Sequence, residues 1–595
     1  MENSIDVLGI NCVYHESSAC LLKNGVMVAA VEEERFNRVK HAKPARVDNP
    51  DVLPEAAIAF CLAQAGLRSL AQVDYIGCSI QPEARLRKNT RYVHDYDIPD
   101  GSYGAPEGEQ VLYNKTLNIE RQLRARGFSG RFFYLDHHDC HAASAFYPSG
   151  YESAAVAVVD GISEFSSVTL YDGEGCDLTP LAALDYPNSL GFLWEKLSAF
   201  IGFDIYDAAK AMGLSSYGNR GVYDAQMARL IQVRDDGFFD IDDALLRLRD
   251  ESDFTTLEQV FGVARRETPV RQVNPKTQCY ADIALAAQLV TEDIFLKLAR
   301  TLKTRTDRER LCMAGGVALN CVANGHLATS GIFENVYVPP AANDAGTAIG
   351  AAHLIWRREL GRPSAGPMKS PYLGPAYGDD AIRAALENAG LRYSRASDAV
   401  ADTARHLADG AIVAWFQGRM EIGPRALGAR SLLADPRDAG IAKVMNVKVK
   451  HREVFRPFCP SVLAERATDW FELPAPMPEV ADYMLGAFPA QEDKKERMPA
   501  VVHFDGSCRI QAVHAHSNPR FHALLVEFEK LTGVPVLLNT SFNDQEPIVC
   551  SPEDAINTFL NTRIDYLVMG DFIVDRARMS ATHTEAARTQ AVPVR

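Results

Sequence analysis

The stretch HHDCHAASAFY (137–147) holds three histidines, an aspartate and a cysteine in its first five positions. On a helix, His137 and His141 are about 40° apart around the axis, so their rings share one face. Two imidazoles at this spacing are typical ligands of one metal ion. His138 points roughly 100° away, where we expect a structural role. Because HxxxH pairs are common without metal, the spacing alone also permits two histidines that cap or line a helix.

Two histidines need oxygen ligands to complete a metal site, and carboxylates at strand ends are a natural source. Asp160 ends the apolar run AVAVVD, and Asp344 lies in the small-residue loop NDAGTA. Two histidines and two aspartates suit iron, manganese or zinc, and the residue types do not choose among these metals.

A second group of chemically active residues is a basic stretch, 419–456, with a local charge of +5 in a chain of net charge −15. Its cations alternate with glycine, proline and apolar residues, as in GPRALGARS and VFRPF, which favours turns and pocket walls. Such a cluster can hold a small anion. A solvated charged face is the alternative. The cations are Arg419, Arg425, Arg430, Arg437, Lys443, Lys448, Lys450, Arg452 and Arg456.

Composition bounds the remaining possibilities. A chain of 595 residues is too long for one core, so we expect at least two domains. The acidic balance argues against nucleic acid as a partner. The 12 cysteines form no CxxC pair, which favours reduced thiols and a cytoplasmic protein. No secretory signal and no membrane span are expected, and neither GxxxxGK[ST] nor GxGxxG occurs.

The elements that must position these residues form a repeated pattern. The pattern of residues 6–35 predicts three strands with an Asn-Gly turn. Residues 154–186 repeat this pattern of strands with Asp-Gly turns. Helices are predicted at 53–67 and 283–305. The repetition predicts a duplicated α/β domain of the actin/Hsp70 type, in which two matched halves face a nucleotide.

A second α/β domain is predicted beyond a linker at 361–378, which is dense in proline and glycine. Its expected elements are strands at 411–417, 458–464, 534–542 and 566–574, and helices at 379–391, 400–409, 438–450 and 551–561.

Several of these segments together resemble the NodU/CmcH-type O-carbamoyltransferases. The resemblance runs along nearly the whole chain in order. It is carried by VLGINCVYHESSACLLKNGVMVAAVEEERFNRVKH, HHDCHAAS, VVDG, AKAMGLSSYG, MAGGVALNCVANG, NDAGTAIGAA, GRMEIGPRALGARSLLADPR, VKHREVFRPFCPSVL and VLLNTSFNDQEPIVCSPEDAI.

The resemblance implies an ATP-dependent enzyme with two domains. Domain 1–365 would be of the actin/Hsp70 (ASKHA) type, similar to threonylcarbamoyl-transferring tRNA enzymes, and domain 376–595 would be YrdC-like. The second domain would make carbamoyladenylate from carbamoyl phosphate and ATP with Mg. The first would transfer the carbamoyl group to a hydroxyl of a small natural-product or sugar acceptor. Its metal, Fe(II) or a similar ion such as Mn or Zn, would be held by His137, His141, Asp160 and Asp344.

Further residue roles are implied by the same motif matches. In the second domain, carbamoyl phosphate and ATP would be bound by Arg425, Arg430, Lys450, His451, Arg456, Arg509, Asn539 and Ser541, of which Arg425, Lys450 and Arg456 would be catalytic. A structural role for His451 is an equal alternative. In the first domain, the nucleotide part of the intermediate would rest on Gly315, Gly316, Asn320, Asn343 and Gly346.

The base that accepts the acceptor's proton is predicted to be His15. The motif match also implies a catalytic role for Lys40, with His41 nearby in the family pattern. A loop histidine that only satisfies backbone groups is the alternative for His15. The chain departs from the family at two positions. Glu16 stands where aspartate is usual, which leaves the role of that acid open, and Val454 stands where proline is common, which affects the approach of Arg456.

Other functions share parts of this pattern. A tRNA threonylcarbamoyl-type transferase needs a basic RNA-binding face, and hydrogenase-maturation enzymes carry upstream cysteine-rich zinc motifs. A nucleotide sensor or chaperone-like ATPase would explain 1–360 but neither the metal ligands nor the basic stretch. Loops 85–115 and 220–275 are expected to form the walls of the acceptor site. A homodimer is possible, and the family setting suggests antibiotic biosynthesis or other secondary metabolism.

Overall fold

A computed structural model describes residues 4–579 of the chain. Its contacts define two compact units. The first comprises Met1–Asn37, His41–Met368 and Pro478–Val480, and the second comprises Arg38–Lys40, Lys369–Met477 and Ala481–Arg595. The main boundary, at 368/369, lies inside the segment predicted as a linker. The end of the predicted second domain, 580–595, lies outside the described residues.

The first unit contains two five-stranded sheets with the same strand order. One has the order β3-β2-β1-β4-β5 and the other β12-β11-β6-β7-β8. The two orders match when the second is read from its other edge. In each sheet, the three strands that come first in the chain (β1–β3 or β6–β8) are antiparallel to their neighbours, and the two later strands (β4 and β5, or β11 and β12) run parallel to the first of them. The strands are β1 (Asp6–Asn11), β2 (Ser18–Lys23), β3 (Val26–Glu32), β4 (Tyr75–Cys78), β5 (Arg131–Tyr134), β6 (Ser153–Val159), β7 (Ser166–Glu174), β8 (Asp177–Asp185), β9 (Ile231–Val233), β10 (Phe239–Ile241), β11 (Arg310–Ala314) and β12 (Asn335–Tyr337).

This matched order confirms the predicted duplication and the actin/Hsp70-type fold. The helices of the unit are α1 (Glu34–Asn37), α2 (Glu55–Gln64), α3 (Pro82–Asn89), α4 (Pro106–Ala125), α5 (His137–Ser149), α6 (Leu190–Phe200), α7 (Ala208–Ser215), α8 (Asp224–Leu230), α9 (Asp243–Leu246), α10 (Thr255–Phe261), α11 (Gln278–Thr306), α12 (Cys321–Thr329) and α13 (Thr347–Leu354). No helix among residues 4–579 is long and apolar enough to cross a membrane.

The second unit is built on one mixed eight-stranded sheet of order β13-β22-β21-β14-β15-β20-β16-β19. Its strands are β13 (Ser394–Arg395), β14 (Val413–Phe416), β15 (Arg430–Ala434), β16 (Cys459–Leu463), β17 (Ala487–Pro489), β18 (Ser507–Arg509), β19 (Gln511–Val513), β20 (Val536–Ser541), β21 (Tyr566–Met569) and β22 (Phe572–Asp575). Its helices are α14 (Asp379–Asn388), α15 (Ala399–Ala408), α16 (Ile441–Val444), α17 (Ala467–Trp470), α18 (Pro519–Thr532) and α19 (Pro552–Asn561).

Two predictions for this unit were wrong in detail. The single strand expected at 566–574 is a hairpin of β21 and β22, because Gly570 takes a positive φ of 55° and turns the chain. The helix expected at 438–450 is α16 followed by a π-helix, Met445–Val449, whose wider turn ends at Lys450. The predicted strands at 411–417, 458–464 and 534–542 are present as β14, β16 and β20.

The core of the first unit places α5 directly against α13. A Cβ atom on Gly350 of α13 would lie 1.7 Å from the carbonyl oxygen of Cys140 on α5, so only glycine permits this approach. Since α5 carries both candidate metal-ligating histidines, the contact at Gly350 helps to fix their position.

Gly350→Ala is therefore expected to destabilise the first unit by about 1–3 kcal/mol, because the backbone of α5 must move. Denaturant unfolding measures the change, and metal content should fall with it. Gly378→Ala is the matched control, since a Cβ there meets nothing within 4 Å and φ is −82°. Equal stability of the Gly350 and Gly378 variants would contradict the role given to this contact.

Candidate functional site

Helix α5 presents two buried imidazoles to one point. Asp136 caps the helix, and its side chain accepts a hydrogen bond from the Asp139 amide at 3.0 Å. The helix therefore starts at His137, and one turn later His141 lies on the same face, with ring centroids 4.7 Å apart. Both side chains are fully buried.

Two carboxylates from distant parts of the chain meet these rings. Asp160 follows β6, and Asp344 begins a short 3-10 helix, Asp344–Gly346. The Nε2 atom of His141 lies 3.5 Å from Asp344 Oδ1 and 3.7 Å from Asp160 Oδ2. The corresponding distances from His137 Nε2 are 3.6 and 3.8 Å. Ligand atoms about 2.1 Å from a tetrahedral ion are about 3.4 Å from each other, so this spacing fits a divalent metal.

The hydrogen bonds around the four side chains leave the inward atoms available. His137 Nδ1 lies 3.0 Å from the carbonyl oxygen of Ser79, which can only accept, so Nδ1 carries a proton and Nε2 is the nitrogen that faces the carboxylates. Asp160 Oδ1 accepts from the Gly316 amide at 2.7 Å, which turns Oδ2 toward the histidines. Nε2 of His137 and Nε2 of His141 are buried, and neither has a hydrogen-bond partner among residues 4–579. A bound metal ion would give these buried nitrogen atoms the partner that they lack.

Charge balance within the site also favours a cation. Burial disfavours an imidazolium, but the carboxylates of Asp344 and Asp160 outweigh burial and raise the pKa of His137 to about 10. Burial alone would raise the pKa of Asp344, yet the charges of His15 and His137 hold that pKa well below its usual range. A proton on His137 thus compensates the two acids, and metal binding is expected to release it.

His138 lies outside the ligand set, as its position on the helix predicts. Its Nδ1 is 2.7 Å from the Thr169 hydroxyl, and burial lowers its pKa to about 3. The ring is therefore neutral and packs beside the site.

The glycine loops named from the sequence surround the carboxylates. Gly315 has φ of 95°, and a Cβ there would lie 2.2 Å from the Val159 carbonyl oxygen. A Cβ on Gly346 would lie 1.9 Å from the Ala341 carbonyl oxygen. Gly315 and Gly346 thus permit close backbone packing, and the Gly316 amide orients Asp160.

The two asparagines of this group differ in what they leave available. Asn320 caps α12 and pairs with the Gln288 amide, donating at 2.8 Å and accepting at 3.1 Å. Its side chain is thereby occupied, which favours a structural role. Asn343 Oδ1 is buried, accepts no hydrogen bond from any residue that the structure describes, and remains a candidate ligand atom.

His15 lies beside Asp344, as the predicted base should. Its Nδ1 is 3.9 Å from Asp344 Oδ2 and 3.8 Å from Glu16 Oε2, and it has no hydrogen-bond partner within the described range 4–579. Glu16 has φ of 55°, and its other oxygen is 3.4 Å from His41 Nδ1. Lys40 is exposed, and its contacts assign it to the second unit.

Three residues missed from the sequence also border this region. Tyr206 packs its ring against His15, with centroids 5.2 Å apart. Glu195 on α6 is partly exposed, and burial together with nearby acids raises its pKa to about 8. The guanidinium carbon of Arg249 lies 4.7 Å from the centre of the Phe192 ring. None belongs to a local motif, so only the tertiary fold reveals them.

The second unit buries a lysine among oxygen atoms. Lys450 Nζ donates to the Ser541 carbonyl at 2.5 Å, to the Asn543 carbonyl at 2.8 Å and to Asn543 Oδ1 at 2.7 Å. Burial and the nearby cations Arg452 and Arg456 hold the pKa of Lys450 well below its usual range. A cluster of cations that depress one another's pKa is electrostatically suited to an anion.

Arg452 is the member of this cluster that the motif match omitted. Its Nε donates to Asn446 Oδ1 at 2.7 Å, and its Nη2 is buried without a partner. Asn446 also donates to the Arg456 carbonyl at 3.0 Å, so it holds the loop that carries both arginines. Arg509 donates to Cys459 Sγ at 2.8 and 3.0 Å.

Other predicted anion ligands have different surroundings. Arg430 is fully buried, its two Nη atoms donate to backbone carbonyls, and its guanidinium lies 3.6 Å from the Phe416 ring centre. Asn539 is also fully buried and donates to Ser461 and Gln511. These contacts favour structural roles for both residues instead of phosphate binding. His451 pairs with Asp544 at 2.8 Å, and Arg425 is half-buried in the loop before β15.

Comparisons with known proteins identify the family of the chain. A family model described as Carbamoyltransferase N-terminus matches residues 6–353, and one described as Carbamoyltransferase C-terminus matches residues 404–576. Nodulation protein NolNO of Sinorhizobium fredii is 36% identical over 97% of this chain and 81% of its own length. Nodulation protein NolO of Bradyrhizobium diazoefficiens is 37% identical over 77% of this chain and 82% of its own. Nodulation protein U of Rhizobium fredii is 30% identical over 89% of this chain and 88% of its own length.

Solved structures resemble the chain only distantly. Component A of (R)-2-hydroxyglutaryl-CoA dehydratase from Acidaminococcus fermentans is 15% identical, covering 59% of this chain and 96% of its own, with a TM-score of 0.32. HypF from T. kodakarensis is 14% identical, covering 59% of this chain and 47% of its own, with a TM-score of 0.30. Likenesses of this size carry no argument, and the fold of the first unit rests on its duplicated strand order.

Proposed function

Since this chain belongs to the carbamoyltransferase family and is a carbamoyltransferase enzyme, we propose that it uses ATP and carbamoyl phosphate to carbamoylate a hydroxyl of a small acceptor. Carbamoyladenylate would be formed at the second unit and used at the first. Family membership removes the alternative of a non-catalytic sensor. The observation that carries the proposal is a buried His-His-Asp-Asp cluster in one unit and a buried cation cluster in the other.

The activation step needs compensation of dense negative charge. Water hydrolyses carbamoyl phosphate to carbamate and phosphate, and a carbamate oxygen then bonds to the α-phosphorus of ATP as the bond to pyrophosphate breaks. Arg425, Lys450, Arg452, Arg456 and Arg509 would bind the phosphates and stabilise the charge that develops, with Mg on ATP. Ser541 would orient Lys450, because its carbonyl oxygen accepts a hydrogen bond from Lys450 Nζ.

The transfer step would take place beside the candidate metal ligands. The acceptor oxygen bonds to the carbamoyl carbon, AMP departs with the bonding electrons, and His15 receives the hydroxyl proton. A divalent metal held by His137, His141, Asp160 and Asp344 would supply Lewis-acid polarisation of the carbamoyl group. Asn343, with its unpartnered oxygen, and the backbone at Gly316 would contact the nucleotide part.

The metal is proposed to be Fe(II), with Mn or Zn as the other metals that this donor set suits. Elemental analysis of protein purified without oxygen tests the identity. One equivalent of a transition metal is expected, and calcium alone would contradict the proposal because calcium needs more oxygen ligands.

Pyrophosphate release tests the function most directly. The protein is mixed with ATP, Mg and carbamoyl phosphate without an acceptor. Release that depends on carbamoyl phosphate is expected. ATP turnover that is indifferent to carbamoyl phosphate, in the presence and absence of candidate acceptors, would count against carbamoyladenylate formation.

Anion binding at the second unit is expected to depend on the protonation of Lys450. Because its pKa is depressed, part of the lysine is neutral at alkaline pH, and bound phosphate favours the protonated form. Affinity for inorganic phosphate should therefore rise as pH falls from 10 to 7.5, by up to about tenfold per unit above the depressed pKa. Isothermal titration calorimetry measures both affinity and proton uptake.

Lys450→Arg is the control for this pH dependence, since its guanidinium stays protonated throughout the range. Its phosphate affinity should vary little with pH. A flat profile for the unaltered protein, with no proton uptake, would contradict the role of Lys450.

A further inference from the structure

His137, one of the candidate metal ligands, is held by Ser79 through the ring nitrogen that does not face the carboxylates. The ring donates from Nδ1 to the Ser79 carbonyl oxygen at 3.0 Å. Ser79 directly follows β4, and its amide donates to the carbonyl oxygen of Ile10 on the parallel strand β1 at 3.3 Å. The place of Ser79, and with it the orientation of the His137 ring, is therefore set by the end of β1.

The side chain of Ser79 belongs to a short network of buried hydroxyl and amide groups. Its Oγ lies 2.9 Å from Thr347 Oγ1 and 3.2 Å from Asn11 Oδ1, and all three side chains are fully buried. Because an amide oxygen can only accept, Ser79 donates to Asn11 and Thr347 donates to Ser79. The carbonyl oxygen of Asp344, 2.7 Å from Thr347 Oγ1, shares the proton of that hydroxyl. Every proton in the network thus has a defined direction.

Thr347 connects this network to the segment 344–347, the Asp344 turn, which carries a candidate metal ligand. Thr347 directly follows the 3-10 helix Asp344–Gly346 and begins α13. Its hydroxyl bonds the Asp344 carbonyl oxygen, while Ser18 Oγ on β2 donates to the Ala345 carbonyl oxygen at 2.8 Å. Since these bonds engage two consecutive carbonyls of the turn, they fix the backbone from which the Asp344 carboxylate projects.

Asn11, the last residue of β1, connects the network to the segment 11–16, the His15 turn. Its Nδ2 donates to the carbonyl oxygens of His15 and Glu16 at 3.0 and 3.3 Å, and these bonds close the turn. Glu16 takes a left-handed backbone conformation with φ of 55°, which is uncommon for residues other than glycine and asparagine. The turn places His15 Nδ1 3.9 Å from Asp344 Oδ2. Asn11 therefore holds the proposed base beside a candidate metal ligand.

We propose that Asn11, Ser79 and Thr347 are positioning residues that hold the His15 turn, the Asp344 turn and helix α5 in one arrangement. Buried hydroxyl and amide groups cost free energy unless they are hydrogen-bonded, so the loss of one member leaves its neighbours unpaired. A metal that fixes α5 and the Asp344 turn also favours the bonded network, and the same bonds order the His15 turn. Metal binding and the order of the His15 turn are therefore linked, and the linkage is reciprocal. The inference rests on the metal centre of the proposed function and adds the residues that join it to the base.

The zinc affinity of the metal-free full chain tests the network, measured by competition with a chromophoric chelator. Thr347→Val removes the hydroxyl at nearly constant shape. Its affinity is expected to fall by roughly 10-fold or more, the lower part of the range for partners that orient metal ligands. Thr347→Ser keeps the hydroxyl and should restore most of the affinity. Thr116→Val is the matched control with unchanged affinity, because the Thr116 hydroxyl is equally buried but donates to the Leu112 carbonyl oxygen within α4, at 2.8 Å.

Hydrogen exchange in the His15 turn tests the linkage. In the unaltered protein, zinc should slow amide exchange in this turn by roughly 5-fold or more, a typical size for coupling between two sites. Asn11→Ala should remove most of this protection and weaken zinc binding as well. In the described part of the chain, the Asn11 side chain bonds Ser79, His15 and Glu16 and none of the four candidate metal ligands. Its effect on zinc would therefore be transmitted through the network.

The double variant Asn11→Ala/Thr347→Val distinguishes one network from two independent contacts. Since both residues act through Ser79, the fall in zinc affinity is expected to be smaller than the product of the two single falls. Losses that multiply would mean two separate contacts and would contradict the network.

The outcomes separate the inference from the metal centre on which it rests. Unchanged zinc affinity in Thr347→Val, an equal loss of affinity in Thr116→Val, or full protection of the His15 turn in Asn11→Ala would overturn the network alone. Absence of both zinc and Fe(II) binding in the unaltered protein would overturn the proposed metal centre and the inference with it.

Discussion

His141→Ala is expected to lose the bound metal and carbamoyl transfer while retaining pyrophosphate release. His141 Nε2 faces both carboxylates at 3.5 and 3.7 Å, and no group in the described part of the chain forms a hydrogen bond with this atom. Without it, three ligands remain in a buried site that carries two acids. Partners that only orient a ligand cost 10–100-fold in metal affinity, so loss of a ligand itself should exceed about 100-fold.

Metal content and two activities measure this prediction in one preparation. Elemental analysis gives the metal, labelled carbamoyl transfer gives the reaction of the first unit, and pyrophosphate release gives that of the second. His326→Ala is the control in the same unit, since His326 is exposed and contacts Glu292 at 2.9 Å. If His141→Ala kept both its metal and its transfer activity, the four-residue centre would have to be abandoned.

Arg456→Ala is expected to show the opposite pattern, with metal retained and pyrophosphate release lost. Arg456 is one of the cations that depress the pKa of buried Lys450 and of Arg452, so its positive charge acts directly on the proposed phosphate site. Removal of one group that stabilises developing charge costs about 10²–10³-fold in rate. Label transfer should fall in parallel, because no carbamoyladenylate is made.

The control for Arg456 comes from the same basic stretch. Arg437 pairs with Asp435 at 2.6 Å, and its side chain is 38% exposed, so Arg437→Ala should release pyrophosphate normally. Arg456→Lys should recover part of the rate, since the charge returns without the planar fork. Normal release by Arg456→Ala would contradict its catalytic role and leave Arg425 and Lys450 as the predicted catalytic cations of the second unit.

The two predictions assign a different measurable loss to each unit: metal and label transfer to the first, and pyrophosphate release to the second. A variant that merely unfolds would lose metal and pyrophosphate release together, whereas the proposed roles predict reciprocal losses. The reciprocal pattern therefore tests the assignment of one step to each unit.

The sequence by itself determined the elements whose signals are local. The Asn-Gly and Asp-Gly turns predicted both strand meanders, because such turns depend on two residues. The HxxxH spacing predicted that His137 and His141 share a helix face, since the helical repeat is set by the backbone alone. The density of cations at 419–456 predicted the region where Lys450 is buried.

The tertiary structure decided what each of these residues touches. Asp160 and Asp344 approach the histidines only because β6 and α13 pack on α5. The motif match made Arg430 and Asn539 candidate phosphate ligands. Strand pairing buries both side chains, and they donate their hydrogen bonds to neighbouring protein groups. Glu195, Arg249 and Arg452 carry no local signal, because an unsatisfied donor or acceptor is defined by distant neighbours. Periodicity and turn chemistry are local properties of a chain, whereas burial and hydrogen-bond partners arise only when remote segments pack.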